Sequence, residues 1–505
     1  MYDVNPLAYA LRVGSLGTEN APFVTDRVTG MMTTYAQVWQ QAEQVAGVLV
    51  SLGVAPGDRV AVQVPKSVAA IPLYLGTVLC GAVHLPLNTG YTATEIDYFL
   101  TDARPRVFVC CPANLAALGP VAAKAGVDTV LTLDADGGGT LADALQQATP
   151  IAQAVPRAAD DLAAILYTSG TTGRSKGAML THDNLASNAA SLRDLWRFTA
   201  DDVLIHALPL FHTHGLFVAI NVTLMAGGAL LLHRAFDAGA VLDDFAHATA
   251  LMGVPTFYTR LLDLPGLNRD AARHMRLFIS GSAPMLTETH HLWHDRTGHW
   301  VLERYGMTET SMSTSNPYAG LRKPGTVGLP LPGVDLRVVD DAAAPVPLGA
   351  VGGVEVRGPN LFAGYWQMPD KTAEDMRPDG WFKTGDLGQL DRDGYLTIVG
   401  RSKDLIISGG YNIYPKEVET LIDALAGVAE SAAFGLPDPD LGEVVAVAVV
   451  LAPGADLDAD AIRAGVADDL ARFKLPRHVY FLPALPRNTM GKVQKAQLRA
   501  QFAPS

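Results

Sequence analysis

The 505-residue chain carries 38 Lys and Arg against 51 Asp and Glu, a formal net charge of -13, with 49% hydrophobic and 18% charged residues. That length implies about three packed units, and the composition excludes a disordered or fibrous chain. The acidic balance excludes a nucleic-acid surface, which needs concentrated Lys and Arg, so any anion must be held inside a cleft by local basic groups and backbone amides.

The opening MYDVNPLAYALRVGS lacks a basic region followed by an apolar stretch, so no signal peptide is expected. From about Thr33 to Val109, TYAQVWQQAEQVAGVLVSLG is helical in period, DRVAVQVP is strand-like, and VAAIPLYLGTVLCGAVHLPL reads as helix then strand. After a loop at Asp134–Gly139 the alternation continues through DVLIHALPL, ALLLHRAF, ATALMGVP and MRLFISGSAP, which predicts two α/β layers with parallel strands. Gly215 to Leu232 is long enough to test as a membrane span, but Asn221, Thr223 and the pair Gly227 and Gly228 favour a buried helix followed by a strand. Between Gly325 and Gly400 short β-prone runs separated by Gly, Pro and Asp predict a small β-rich subdomain. Beyond it KEVETLIDAL, EVVAVAVVLA, AIRAGVADDLARF and HVYFLPAL predict a separate small α/β domain, with the boundary at residues 402 and 403. Cys80, Cys110 and Cys111 are too few and badly placed for a disulfide framework, which points to a reducing cytoplasm.

The strongest local signal is YTSGTTGRSKG, Tyr167 to Gly177, between the apolar run LAAIL and the helical stretch HDNLASNAASLRDLW. Strand, Gly-rich loop, helix is the order of a phosphate cradle: glycines admit an anion to backbone N–H groups, hydroxyls add donors, and Arg174 or Lys176 neutralises charge. Lys176 is followed by Gly177, so the Walker A pattern is not met.

This loop, with GSAP (Gly281 to Pro284), YGMTE (Tyr305 to Glu309), TGD (Thr384 to Asp386), GRSKDLIISGGYNIYPKEVE (Gly400 to Glu419) and PRNTMGKVQK (Pro486 to Lys495), resembles the adenylate-forming superfamily of acyl-CoA synthetases, luciferases and peptide-synthetase adenylation domains. The resemblance implies a large N-terminal AMP-binding domain, residues 1–402, of two α/β layers plus the β-rich subdomain, and a small mobile C-terminal α/β domain, residues 403–505. It implies ATP, Mg²⁺ and coenzyme A as co-substrates or cofactor, and activation of a carboxylic acid as its adenylate before transfer to a thiol.

Residue by residue, it assigns ATP contacts to Thr168, Ser169, Gly170, Thr171, Thr172, Gly173 and Lys176 of the loop, and to Ser282 and Ala283. Tyr305 would stack on adenine, Thr308 touch the α-phosphate and Glu309 ligate Mg²⁺, while Asp386 and Arg401 would hold ribose and phosphate. Lys492 matches the lysine that bridges carboxylate and α-phosphate during adenylation, and Lys403 matches a hinge. Rotation about that hinge would withdraw Lys492 and bring Ser408, Gly409 and Gly410 to the pantetheine tunnel.

Arg304 stands immediately before Tyr305, where many monocarboxylate-activating relatives carry a small or neutral residue. A second carboxylate on the substrate is its natural bidentate partner, although pairing with Glu303 or another acid of the chain is the alternative. His212 and His214 in LPLFHTHG and Arg260 in PTFYTRL are further candidates for the acyl pocket. Together these segments resemble the malonate-activating branch of the family. Methylmalonate stands as a second candidate, because a pocket separates acids one methyl apart by only about 10- to 200-fold. Another small acid, or a carrier-protein thiol in place of CoA, stays open.

Overall fold

The computed structural model describes residues 3–168, 175–408, 411–439, 441–488 and 491–503, and among them the strands gather into four sheets. The six-stranded sheet runs in the order Thr129–Thr132, Val107–Cys110, Arg59–Gln63, Val83–Pro86, Leu162–Thr168, Lys176–Thr181. Its first five strands are parallel and the last is antiparallel. In the nine-stranded sheet, Leu302–Met307, Leu277–Ser280, Ala250–Gly253, Val203–His206, Ala229–Leu232 and Pro22–Asp26 are parallel neighbours, flanked by antiparallel edges.

The predicted helices fill the faces of these sheets. Tyr35–Ser51 starts on a capping box of Thr34 and Gln37 and buries Val38, Ala42, Val45 and Leu49 at helical spacing. Ala70–Leu79 is buried at every position, so it packs as an interior helix. The apolar stretch from residue 215 is a buried π-turn His214–Ile220, a helix Asn221–Ala226 and a strand Ala229–Leu232, as the internal polar residues require. No helix among the described residues is long and apolar enough to cross a membrane.

A four-stranded antiparallel sheet, Asp335–Val339, Gly352–Arg357, Phe382–Leu390 and Leu396–Arg401, forms the β-rich unit. The last unit is built on a five-stranded sheet that begins with Ile406–Ser408 and Tyr411–Ile413 and has its own core of Ile406, Ile413, Val418, Ile422, Val445 and Val447. Its long ladder pairs Val428–Asp438 with Gly442–Leu451. Cys80, Cys110 and Cys111 are free thiols.

One expectation is corrected. The helical stretch HDNLASNAASLRDLW is the helix His182–Leu195, but the Gly-rich loop does not lead straight into it: the strand Lys176–Thr181 comes between and folds back antiparallel on Leu162–Thr168. Ala178 and Leu180 supply buried apolar side chains, and Gly364 and Trp366 bond the outer edge through Met179 N to Gly364 O at 3.0 Å and Trp366 N to Gly177 O at 2.7 Å. A hairpin satisfies these backbone groups where a helix start would leave them open.

Candidate active site

Parallel strands present their carboxyl ends as a ligand crevice, and the nine-stranded sheet ends there in His206, Gly253, Ser280 and the run Arg304 to Met307. Ser280 registers with Glu303, so Gly281 lies beside Arg304. Successive strand residues face opposite ways. Glu303 accordingly turns inward, taking a hydrogen bond with His290 Nε2 at 2.7 Å and one from Met285 N at 3.2 Å. The Glu303–Arg304 pairing considered from the sequence therefore does not form.

Arg304 turns to the crevice. It is 2% exposed, and its Nε and Nη2 are buried without a hydrogen-bond partner among the described residues. Burial lowers its pKa to about 9. A buried guanidinium with open donors is costly unless an anion completes it. His214 lies fully buried nearby, with Nδ1 3.5 Å from Ser282 Oγ and Nε2 without a partner among the described residues, and its N–H donates to His212 Nδ1 at 3.3 Å. Burial, reinforced by the neighbouring cations Lys492 and Arg304, drives His212 down to about 3, and His214 is likewise depressed, by burial and then Arg304. Both imidazoles are therefore neutral. Ser282 holds a left-handed φ of 71°, a strained conformation for a residue with a side chain, and Ala283 follows it. Arg260 is exposed at the last turn of the helix Pro255–Leu262, off the face that buries Phe257, Tyr258 and Leu261.

Asp386 and Arg401 face each other across adjacent strands of the four-stranded sheet. Arg401 Nε sits 2.6 Å from Asp386 Oδ1, and the Tyr305 hydroxyl donates to Oδ2. Residues of three separate motifs thus meet at one buried carboxylate, Tyr305 reaching it from 81 positions away. Glu309 is also buried; burial raises its pKa, while a 3.0 Å hydrogen bond from the Tyr365 hydroxyl and the charges of Lys176 and Arg401 oppose the shift. The Lys176 ammonium rides 4.1 Å from the Tyr365 ring centroid and 3.7 Å from Asp375 Oδ2. Thr308 is partly buried beside Glu309, and Thr168 Oγ1 donates to Lys176 O at 3.4 Å. Ser169, Gly170, Thr171, Thr172 and Gly173 lie outside the described residues.

Lys492 enters the same crevice from the C-terminal unit. Its N–H donates to Asn488 Oδ1 at 2.9 Å and its carbonyl accepts from Asn488 N at 2.9 Å, closing a tight turn. Arg487 ties that turn to Glu430 and, at 2.5 Å, to Gly491 O. A β-carbon on Gly491 would lie 3.7 Å from Thr256 Oγ1, so the turn rests against the N-terminal part. Lys492 keeps solvent access down the crevice, yet the surrounding walls desolvate its ammonium, and with Arg401 close by its pKa falls to about 8 against the pull of Asp386 and Glu309. Lys403 is exposed in the turn Ser402–Asp404 between the two sheets. Ser408 is buried at the end of the strand Ile406–Ser408, and Gly409 and Gly410 lie outside the described residues.

The supports Tyr365 and Asp375 were not visible in the sequence: they belong to no motif, and only the hairpin that crosses Gly364 and Trp366 brings them to Glu309 and Lys176.

The model of the AMP-binding enzyme family matches residues 15–366, and that of the AMP-binding enzyme C-terminal domain matches 417–492. The chain is 37% identical to a feruloyl-CoA synthase of Amycolatopsis, covering 94% of both chains, and 34% identical to a malonate–CoA ligase of Arabidopsis thaliana, covering 88% of this chain and 78% of that one. ATP-bound MatB from Rhodopseudomonas palustris superposes with a TM-score of 0.96 at 55% identity, covering 99% of both chains, whereas the apo form of that protein gives 0.85. The arrangement that brings Lys492 into the crevice is thus nearer to the nucleotide-bound one.

Proposed function

The chain belongs to the AMP-binding, adenylate-forming enzyme family, and from that premise we propose that it joins malonate to coenzyme A, giving malonyl-CoA, AMP and pyrophosphate. The observation that carries this reading is Arg304: a buried guanidinium with open donors and no carboxylate among the described residues to pair with. Feruloyl-CoA synthase and malonate–CoA ligase are about equally similar to the chain as a whole. A bulky aromatic acid would leave Arg304 unpaired, and a short diacid completes it.

In the first half-reaction a carboxylate oxygen of malonate attacks the α-phosphorus of ATP, and the bond to pyrophosphate breaks. The distal carboxylate is held by Arg304, with His214 and Ser282 bordering it. Tyr305, Asp386 and Arg401 seat adenine and ribose, and Lys176 and the Gly-rich loop take the outer phosphates. Lys492 bridges the reacting carboxylate and the α-phosphate, where its charge is worth most as negative charge builds. Mg²⁺ is commonly held by one or two carboxylates together with substrate phosphates. Glu309 fits that role, since it is a buried carboxylate with Oε1 accepting from the Tyr365 hydroxyl and the cations Lys176 and Arg401 near it. When bound there, the ion would neutralise phosphate charge.

In the second half-reaction the CoA sulfur attacks the acyl carbonyl, AMP leaves, and the thiol proton is released. The boundary at residues 402 and 403 supplies the rotation for this step, with Lys403 at the hinge and the segment from Ser408 to Gly410 moving to the pantetheine path. Thr308 contacts the α-phosphate in both steps.

The test is pyrophosphate release with ATP, Mg²⁺ and CoA across acetate, propionate, malonate, methylmalonate and succinate, with Arg304→Ala beside the wild type. Malonate is expected to be preferred, and the variant to lose that preference. Preference for a monocarboxylate, or an Arg304→Ala profile like the wild type, would remove the diacid reading and leave a general acyl-CoA synthetase.

A further inference from the structure

One cation close to this site has no part in the chemistry above. Lys66 is partly buried in the connection between the strand Arg59–Gln63 and the helix Ala70–Leu79, on the six-stranded side of the molecule. It forms no ion pair among the described residues; its ammonium instead donates to His206 O at 2.9 Å and meets His206 Nδ1 at 2.8 Å. Burial holds its pKa well below that of an ordinary lysine. A desolvated lysine paired with no acid destabilises the fold, so its presence calls for a reason at the site it touches.

His206 ends a central strand of the nine-stranded sheet and is 1% exposed. Its Nε2 lies 2.8 Å from Gly215 O. A carbonyl only accepts, so Nε2 carries the proton and Nδ1 is left as the acceptor that Lys66 fills. Lys66 therefore locks both the tautomer and the orientation of the ring.

Gly215 directly follows His214, the first residue of the π-turn His214–Ile220. A π-turn is a rare geometry that persists where neighbours hold it. Here it is held from two sides: His206 grips the Gly215 carbonyl, and the α-carbon is packed so closely that an added methyl would fall 2.0 Å from Pro209 O. The residue thereby placed is His214, which borders Ser282 and whose N–H bonds His212. The run Lys66, His206, Gly215, His214 connects the six-stranded unit to the wall of the acyl pocket.

We infer that Lys66 is a positioning residue for acid selection: through His206 and the Gly215 carbonyl it sets His212 and His214 beside Arg304, and without it the preference for a second carboxylate is lost. The inference rests on the diacid reading of the pocket. Lys66 touches neither substrate nor reacting atom. Its effect is confined to the acid, since ATP is held by Tyr305, Asp386 and Arg401 on other elements.

The experiment measures kcat and KM for malonate, propionate and ATP in the wild type, Lys66→Met, Lys66→Arg and His206→Gln. In Lys66→Met the KM for malonate is expected to rise by at least about tenfold, with the KM for ATP and the kcat/KM for propionate within about twofold of wild type. Lys66→Arg, which keeps a cationic donor, recovers most of the loss. His206→Gln keeps a donor for Gly215 O but removes the ring nitrogen that Lys66 uses, and loses the same preference. Unchanged malonate selectivity in Lys66→Met overturns the inference, as does an equal loss for malonate, propionate and ATP, which a merely structural lysine would give. Should Lys66→Met fail to fold, His206→Gln decides by the same criteria. A wild type that does not prefer malonate over propionate removes the diacid reading itself, an outcome separate from a selective wild type whose variants stay selective.

Discussion

A β-carbon placed on Gly281 would fall 2.5 Å from Cζ of Arg304, so the guanidinium lies against the peptide of the neighbouring strand end with no room for a side chain between. The absent methyl is what allows Arg304 to occupy its burial site. Gly281→Ala is expected to push the guanidinium off its position and lower kcat/KM for malonate by about 100-fold, the cost of roughly an ångström of misplacement. Propionate, which makes no use of Arg304, is expected to fall far less. Steady-state rates with the two acids check this, and an equal fall would place Gly281 in backbone support instead of selection.

Tyr365 sets the acid limb of the pH profile. Burial raises the proton affinity of Glu309, and the Tyr365 hydroxyl is one of the groups that hold it down. Tyr365→Phe removes that donor, so Glu309 stays protonated to higher pH and its carboxylate is lost for Mg²⁺ over a wider acidic range. At about pH 6 the variant is expected to show an about tenfold lower kcat/KM for ATP and a higher Mg²⁺ requirement, both converging on wild type as pH rises. Superimposable acid limbs would show that Tyr365 does not govern Glu309.

Much of this site was legible in the sequence because its chemistry is written in contiguous stretches. Arg304, Tyr305 and Glu309 share one strand and its turn, Asp386 and Arg401 are neighbours in an antiparallel pair, and Lys492 sits in a turn closed by the Asn488 of its own motif. What was not legible depends on packing between distant segments. Lys66 and His206 are 140 positions apart, Tyr365 reaches Glu309 across 56, and neither contact leaves a local pattern. The strand Lys176–Thr181 carries no mark of its own in the sequence, where the Gly-rich loop ends at Gly177 and the apolar run Ala178 to Leu180 is too short to decide a state. Its pairing with Leu162–Thr168 and with the backbone of Gly364 and Trp366 decides for the strand.

Glu303 is the structural counterpart of Arg304, one residue earlier and facing the other way. It pairs with His290 at 2.7 Å and accepts from Met285 N at 3.2 Å, with both side chains at most 4% exposed. Glu303→Ala strands two buried donors, and such a loss costs about 3 kcal/mol. The urea midpoint of the N-terminal transition is expected to fall accordingly, while the ratio of malonate to propionate activity at low temperature stays near wild type. A changed ratio without a stability loss would mean that Glu303, not Gly281, sets the position of Arg304.

Lys492 gives the alkaline limb. Its ammonium is desolvated by the crevice walls and pressed by Arg401, so in the nucleotide-free enzyme it loses its proton near pH 8, well below an ordinary lysine. The adenylation step needs the charged form. A depressed amine pKa therefore means that activity is present below about pH 8 and lost as pH rises through it, and kcat/KM for ATP in malonate-dependent pyrophosphate exchange is expected to fall about tenfold per unit above that point. Bound ATP adds negative charge beside the ammonium and raises its pKa, so kcat should hold to higher pH than kcat/KM. Lys492→Ala is expected to abolish exchange while still converting supplied malonyl-adenylate and CoA to malonyl-CoA, because the second half-reaction proceeds with the lysine withdrawn. Equal loss of both half-reactions, or an alkaline limb that persists unchanged in the residual activity of Lys492→Ala, would separate Lys492 from the adenylation step and assign the titration to another group in the crevice.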